Sequence, residues 1–168
     1  MEQTQGKIED ERGMIESWVV EILDIDIRRP ILDCFRGIEL PLLRSIADFA
    51  YKLLKKLDPR QWFKEREIPE RIIEVAMDLS IKFKLIIGLH REDKIGMFRE
   101  AISSLVLEIG KISQEMADQF HSICSSLGNH QIGFLLVFIA NCFSLVVTNK
   151  PEELDSIFAL AAPLFGSE

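Results

Sequence analysis

Apolar side chains recur along this chain at helical rather than alternating spacing, and one run departs from the pattern by being apolar on every side. Ile132–Val147, IGFLLVFIANCFSLVV, holds sixteen residues with no formal charge, and only Asn141 and Ser144 are strongly polar. A helix that is hydrophobic all round is either the centre of a folded core or a membrane span. Sixteen residues at about 1.5 Å each reach about 24 Å, short of a hydrocarbon layer roughly 30 Å thick. The run also lacks flanking Lys/Arg and Trp/Tyr anchors, His130 and Lys150 being the nearest basic residues. A buried core helix is therefore expected, and a membrane role is not.

The other segments are amphipathic. Ile15, Trp18, Val19 and Ile22 face away from Glu9, Glu16 and Glu21, which predicts a surface helix from Ile8 to about Leu23 with an acidic outer face. Asp24–Arg29 reads as a charged break, after which Pro30 opens a short helix through Phe35 that stops at Gly37. Pro41 sits in the first turn of the clearest amphipathic helix. Its stripe is Leu42, Leu43, Ile46, Phe49, Ala50, Leu53, Leu54 and Leu57, with Arg44, Asp48, Lys52, Lys55 and Lys56 opposite. Asp58-Pro59 ends it, and the connection Arg60–Ile68 carries Trp62 and Phe63 between charges.

Ile72, Ala76, Leu79, Phe83 and Ile86 predict a long helix from Pro69 to about Leu89, followed by a polar turn at His90–Lys94. Ile95, Phe98, Ile102, Leu105, Val106 and Ile109 form the next stripe. Ser113 suits the N-cap of a helix with Met116, Phe120, Ile123 and Leu127 inward, and Gly128 suits its C′ position. After the apolar run, Asn149-Lys-Pro-Glu152 has the form of a capping box. It predicts a last helix burying Leu154, Ile157, Phe158 and Ala161, closed by Pro163 and Gly166. The fold expected is all-α, a single compact bundle of six to eight helices across residues 1–168 around an apolar central helix at about 132–147. Ile95-Gly96 and Ile132-Gly133 hint at a helical repeat, but the match fades beyond Ile102 and Ile139.

Composition narrows the class. In 168 residues, 48% are hydrophobic and 28% charged, which is globular rather than disordered. The polar, acidic MEQTQGKIEDER is the opposite of a secretory leader. Three cysteines with no CxxC spacing read as reduced thiols, so a cytoplasmic location is expected. The net charge of −7 is unevenly spread: residues 1–26 carry −6, residues 27–66 carry +5, and residues 67–168 carry −6. Overall acidity opposes indiscriminate nucleic-acid binding, while the basic middle leaves room for a local site.

Candidate chemistry is sparse. Glu67-x-x-Glu70 and Glu115-x-x-Asp118, with Glu74, Asp78 and Glu108 nearby in pattern, could hold Mg²⁺ through oxygen ligands if they faced one another. In outline this resembles the ExxE…ExxD pattern of all-α nucleoside triphosphate pyrophosphohydrolases. The 44-residue gap between the halves is longer than in that pattern, and no basic phosphate-binding motif follows. Asp118, His121 and Cys124 share one side of a helix, but no HxxxH, CxxC or second ExxH supplies matching ligands, so no metal is expected. There is no GxSxG and no glycine-rich phosphate loop, and no catalytic residue or cofactor is assigned.

The basic segment offers more. Arg44, Lys52 and Lys55 share a helical face that continues through Arg60, Trp62 and Lys64, and these six form a candidate surface for nucleic acid or another anionic partner. The competing outcome is internal: lysines solubilising the surface, aromatics folding onto the core, and the acidic N-terminal helix serving as counter-charge. The function expected is a non-catalytic helical protein-interaction module or accessory subunit of a complex, with a protein partner or a second copy of itself. The alternatives are an accessory subunit touching nucleic acid through residues 44–66, and a Mg-dependent nucleotide phosphohydrolase using the helix carboxylates.

Overall fold

The computed structural model of the protein describes residues 2–58, 60, 74, 77, 78, 81, 85, 95–111 and 113–165. All regular structure among them is helical, as the periodicity predicts. In order these are α1 (Glu2–Ile22), α2 (Ile25–Arg36), α3 (Leu40–Leu57), α4 (Ile95–Gly110), α5 (Gln114–Ser125), α6 (Asn129–Thr148), a 3-10 turn (Pro151–Leu154) and α7 (Asp155–Phe165). The stripe expected at Ile72, Ala76, Leu79, Phe83 and Ile86 lies outside the described residues. Glu74, Met77, Asp78, Ile81 and Leu85 are helical and exposed.

One continuous apolar cluster draws on all seven helices. α6 packs against α1, α2 and α3, and α3 packs against α1, α5, α6 and α7. The apolar run is central, but it shares the centre with α3, whose expected stripe is buried from Leu43 to Leu57 with Leu42 at its edge. α6 also outgrows its expected bounds. Twenty residues make it about 30 Å long, so length does not separate core from membrane span. It is the one helix among the described residues long and apolar enough to cross a membrane, and 56% of that stretch lies buried inside the protein. At its middle, Phe138 is fully buried and meets Phe35 of α2 edge-on at 5.4 Å between ring centres.

Asn141 is 8% exposed, and both ends of its amide are hydrogen-bonded. Nδ2 donates to the Ile22 carbonyl at 2.7 Å, and Oδ1 accepts from the Asp24 N–H at 3.3 Å. The last carbonyls of a helix have no partner within it, and the chain reverses here with Ile22 and Leu23 both buried. Arg28 Nη2 supplies a further donor to the Leu23 carbonyl at 3.2 Å. A side chain from α6 thus satisfies the α1–α2 corner.

Other boundaries also differ from those the sequence predicts. α2 starts at Ile25, so the expected charged break is helix and Pro30 lies inside it. Asp24 takes the extended N-cap position and Asp26 lies in the first turn, where acids complement the helix dipole. Gly128 is not a left-handed C′ residue. Its φ of −77° and ψ of 163° make it the N-cap of α6, its N–H donating to Gln131 Oε1 at 3.1 Å. Asn149 does not begin the last helix either. It caps the end of α6, its Nδ2 donating to the Leu145 carbonyl at 2.8 Å, and the chain enters α7 through the 3-10 turn instead. Ser113 behaves as expected, its Oγ accepting from the Met116 N–H at 3.3 Å.

Replacing Phe138 by Ala is expected to cost about 3–5 kcal/mol in urea denaturation, as large aromatic deletions in cores do. Asn141→Leu strands the corner's backbone groups and should cost about 1–3 kcal/mol. A near-neutral result for either would show that α6 is not the core helix described.

Candidate interaction surfaces

The basic positions of α3 do not stand alone. The Arg44 guanidinium pairs with the Glu11 carboxylate of α1. Lys52 Nζ lies 3.0 Å from Asp48 Oδ2 and 3.6 Å from Glu115 Oε1 of α5. The hydrogen bond from Lys52 to Asp48 leads the causes that hold its ammonium above the usual lysine range. Lys55 Nζ sits 4.7 Å from the Phe158 ring centre of α7 and 5.6 Å from that of Tyr51, within cation–π range. Arg44, Lys52, Lys55 and Arg60 each reach a partner inside the protein, two of them on α1 or α5 and two toward α7. Trp62 and Lys64 lie outside the described residues.

Arg60 makes the most consequential of these contacts. Nη2 is 2.9 Å from Asp58 Oδ2 and 2.7 Å from Asp155 Oδ1, and the Arg60 backbone N–H donates to Asp58 Oδ1 at 3.0 Å. Asp58 is 1% exposed, so its charge has little water to fall back on. The hydrogen bond from Arg60 also holds the Asp155 carboxyl below the usual carboxylate range. Exposed ion pairs contribute about 0–1 kcal/mol each; removing one partner of a buried one leaves an uncompensated charge. Asp155, ninety-five residues from Arg60, was absent from the sequence reading because nothing local links them.

The carboxylates do not converge among the described residues. Glu115 faces Lys52, Asp118 accepts from Gln114 Nε2 at 3.0 Å, and Glu108 lies 3.1 Å from Lys111. Glu74 and Asp78 are exposed, and Glu67 and Glu70 lie outside the described residues. No group of three His, Cys, Asp or Glu among the described residues is placed to hold a metal ion. On α5, Asp118 and His121 point to solvent while Cys124 is buried, so the suggested ligand trio is split by the core boundary.

Apolar surface stays open elsewhere. A groove of about 540 Å³ runs between α1 and α7, lined by Asp10, Gly13, Met14, Ser17 and Trp18 on one side and Ala159, Leu160 and Pro163 on the other. Trp18 positions α7. Its Nε1 donates to the Ile157 carbonyl at 3.0 Å, and its ring meets Phe165 edge-on at 5.7 Å. Ile157 and Ala161 face inward. Ala159, Leu160, Ala162 and Pro163 remain exposed, and no charge follows Asp155 in the helix. Met14 is 43% exposed and Leu160 49%. A Cβ added at Gly13 would meet nothing within 4 Å, so that wall is open. Pro163, expected to close this helix, lies inside it, and the outward positions lie beyond the apolar stripe that the sequence predicts. The available signal was FALAAPLF itself, a surface helix without a polar face. A second apolar ridge, Met77, Ile81 and Leu85, is exposed at i, i+4, i+8 spacing.

Arg60→Met is expected to lower stability by about 1–3 kcal/mol because Asp58 stays buried without its cation. The double variant with Asp58→Asn should regain part of that loss; no coupling between the two sites would contradict the pairing. Burial pushes the Cys124 thiol up to about 12 and raises Cys142 as well, above the ordinary value of 9.0. Thiols raised in the folded state favour folding fully below that ordinary value, and the contribution is lost as pH rises through the folded values. The urea midpoint should therefore fall above pH 9.0 more steeply for the native chain than for a Cys124→Ala, Cys142→Ala variant. Parallel slopes would rule the buried thiols out as the cause.

No protein family, curated protein or solved structure matches this chain.

Proposed function

We propose that this chain is a non-catalytic helical interaction module, an accessory subunit that receives a helix of a partner in the groove between α1 and α7. The carrying observation is α7. A helix on the surface of a bundle ordinarily turns polar side chains to water. α7 turns Ala159, Leu160, Ala162 and Pro163 outward instead, beside exposed Met14 of α1. Adjoining apolar side chains left open in a groove support an interaction role. Its form, two helix walls with small residues between larger flanking ones, suits the helix-in-groove mode of recognition.

The two alternatives draw less from the geometry. The nucleic-acid reading relied on a bare basic face, and Arg44, Lys52, Lys55 and Arg60 are each engaged within the fold. The phosphohydrolase reading relied on convergent carboxylates, and the described ones serve separate lysines and amides.

Selection of amphipathic helices from a displayed library on the immobilised protein tests the proposal. Selected helices should bind the native chain and lose at least tenfold in affinity with Leu160→Gln, the loss of one anchoring contact. Leu160 is half exposed, so the variant should unfold at the native urea midpoint. Helices that bind both forms alike, or a selection that enriches nothing, would remove the groove as the docking site.

A further inference from the structure

We infer that the α1–α7 groove is built for a cationic amphipathic helix of another protein; this rests on the interaction-module reading and adds the partner's charge. The charged residue that lines the groove is acidic. Asp10 lines it, and Glu21 is exposed on the same ridge of α1, which runs Asp10, Met14, Ser17, Glu21 at spacings of four, three and four. Neither carboxylate makes an ion pair with another described residue. The cations nearby are committed elsewhere. Arg12 turns to α2 and donates to the Phe35 and Ile38 carbonyls at 3.3 and 2.7 Å, Arg44 holds Glu11, and Lys55 lies over Phe158. Lys7 shares the ridge one turn before Asp10, and its side chain lies outside the described residues.

The α7 wall adds acceptors. Proline has no N–H, so Pro163 leaves the Ala159 carbonyl without the donor that a helix normally supplies from four residues on. Ala159 and Pro163 both line the groove. The last turn of α7 contains no basic residue, so the negative end of its dipole is uncompensated by the helix itself. Carboxylates, a carbonyl that lacks its usual amide donor and a helix C-terminus all favour donors and positive charge around an apolar stripe.

The same chemistry selects among occupants. A second copy docking by this face would bring no described cation to answer Asp10 and Glu21, and an anionic membrane surface would repel them. A helix with apolar residues at i, i+3 or i+4, and i+7 answers Met14 and Leu160, and Lys or Arg on its flanks answers the rim. From Asp10 to Glu21 is about 16 Å along α1, roughly three turns of such a partner.

The probe is a displayed library of amphipathic helices whose apolar stripe is randomised among apolar residues and whose flanking positions are free to be Lys, Glu or Gln. On the native chain, Lys should be enriched over Glu at the flanks. Exchanging those Lys for Glu in the best binder should weaken it about tenfold at low salt, as a few exposed charge pairs would, with the difference shrinking in high salt. Asp10→Asn with Glu21→Gln should bring that difference within about twofold while leaving Leu160→Gln as damaging as before. If apolar positions are selected and the flanks stay random, the groove reading stands and the charge inference is overturned. If no apolar preference emerges, the groove reading itself falls. A dimer in sedimentation that Leu160→Gln dissolves would assign the groove to a second copy and overturn the inference.

Discussion

Asn141 Nδ2 donates to the carbonyl that ends α1, and its Oδ1 accepts from the amide that leads into α2. Backbone groups turned into a core must be satisfied, and at this corner the satisfying group comes from α6, more than a hundred residues away in the chain. The corner sets the course of α1 across α6 and α3. That course places Trp18 so that its indole reaches the Ile157 carbonyl, which in turn seats α7 beside α1 and creates the groove. The one amide in an otherwise apolar run is thus connected, through two hydrogen bonds and a tryptophan, to the surface proposed to do the binding.

Charge is used in a comparable way. Along the sequence the acidic and basic thirds look segregated, as though a basic face awaited an external anion. In the fold those thirds meet. Arg44 reaches Glu11 of α1, Lys52 reaches Glu115 of α5, and Arg60 reaches Asp155 at the start of α7. Most of these pairs are exposed and contribute little individually. Asp58 differs, because its carboxylate is buried and Arg60 serves it with side chain and backbone together. The polar side of α3 consequently joins three neighbours instead of offering a uniform field to solvent. Asp10 and Glu21 of α1, by contrast, make no ion pair with another described residue.

An exposed apolar helix face lowers solubility and gives nothing to the stability of the isolated chain, since burial is what makes such side chains favourable. α7 keeps Ile157 and Ala161 in the core and leaves Leu160 out, so its attachment to the bundle does not require the outer residues. Folding and docking are divided between two sides of one helix, and the outer side can be altered without removing the inner one.

Several features followed from the sequence alone, for physical reasons that are local. The 3.6-residue period of apolar positions identified α1, α3, α4 and α5, because one face of each must leave water. Ser113 could be read as a cap because its hydroxyl serves an amide three residues on. The charge-free run from Ile132 to Val147 marked a core helix because no face of it suits water. The tertiary structure decided what depends on partners distant in the chain. Asn149 had two helices to choose between and capped the first; Gly128 became the N-cap of α6 because the chain left α5 at Ser126 without a left-handed turn. Arg60 and Asp155 met only because α3 and α7 pack together. The groove belongs to neither α1 nor α7 alone. Its apolar half was visible in the lack of a polar face in FALAAPLF, but that the face stays open, with Asp10 and Met14 across from it, is set by how two helices far apart in sequence lie side by side.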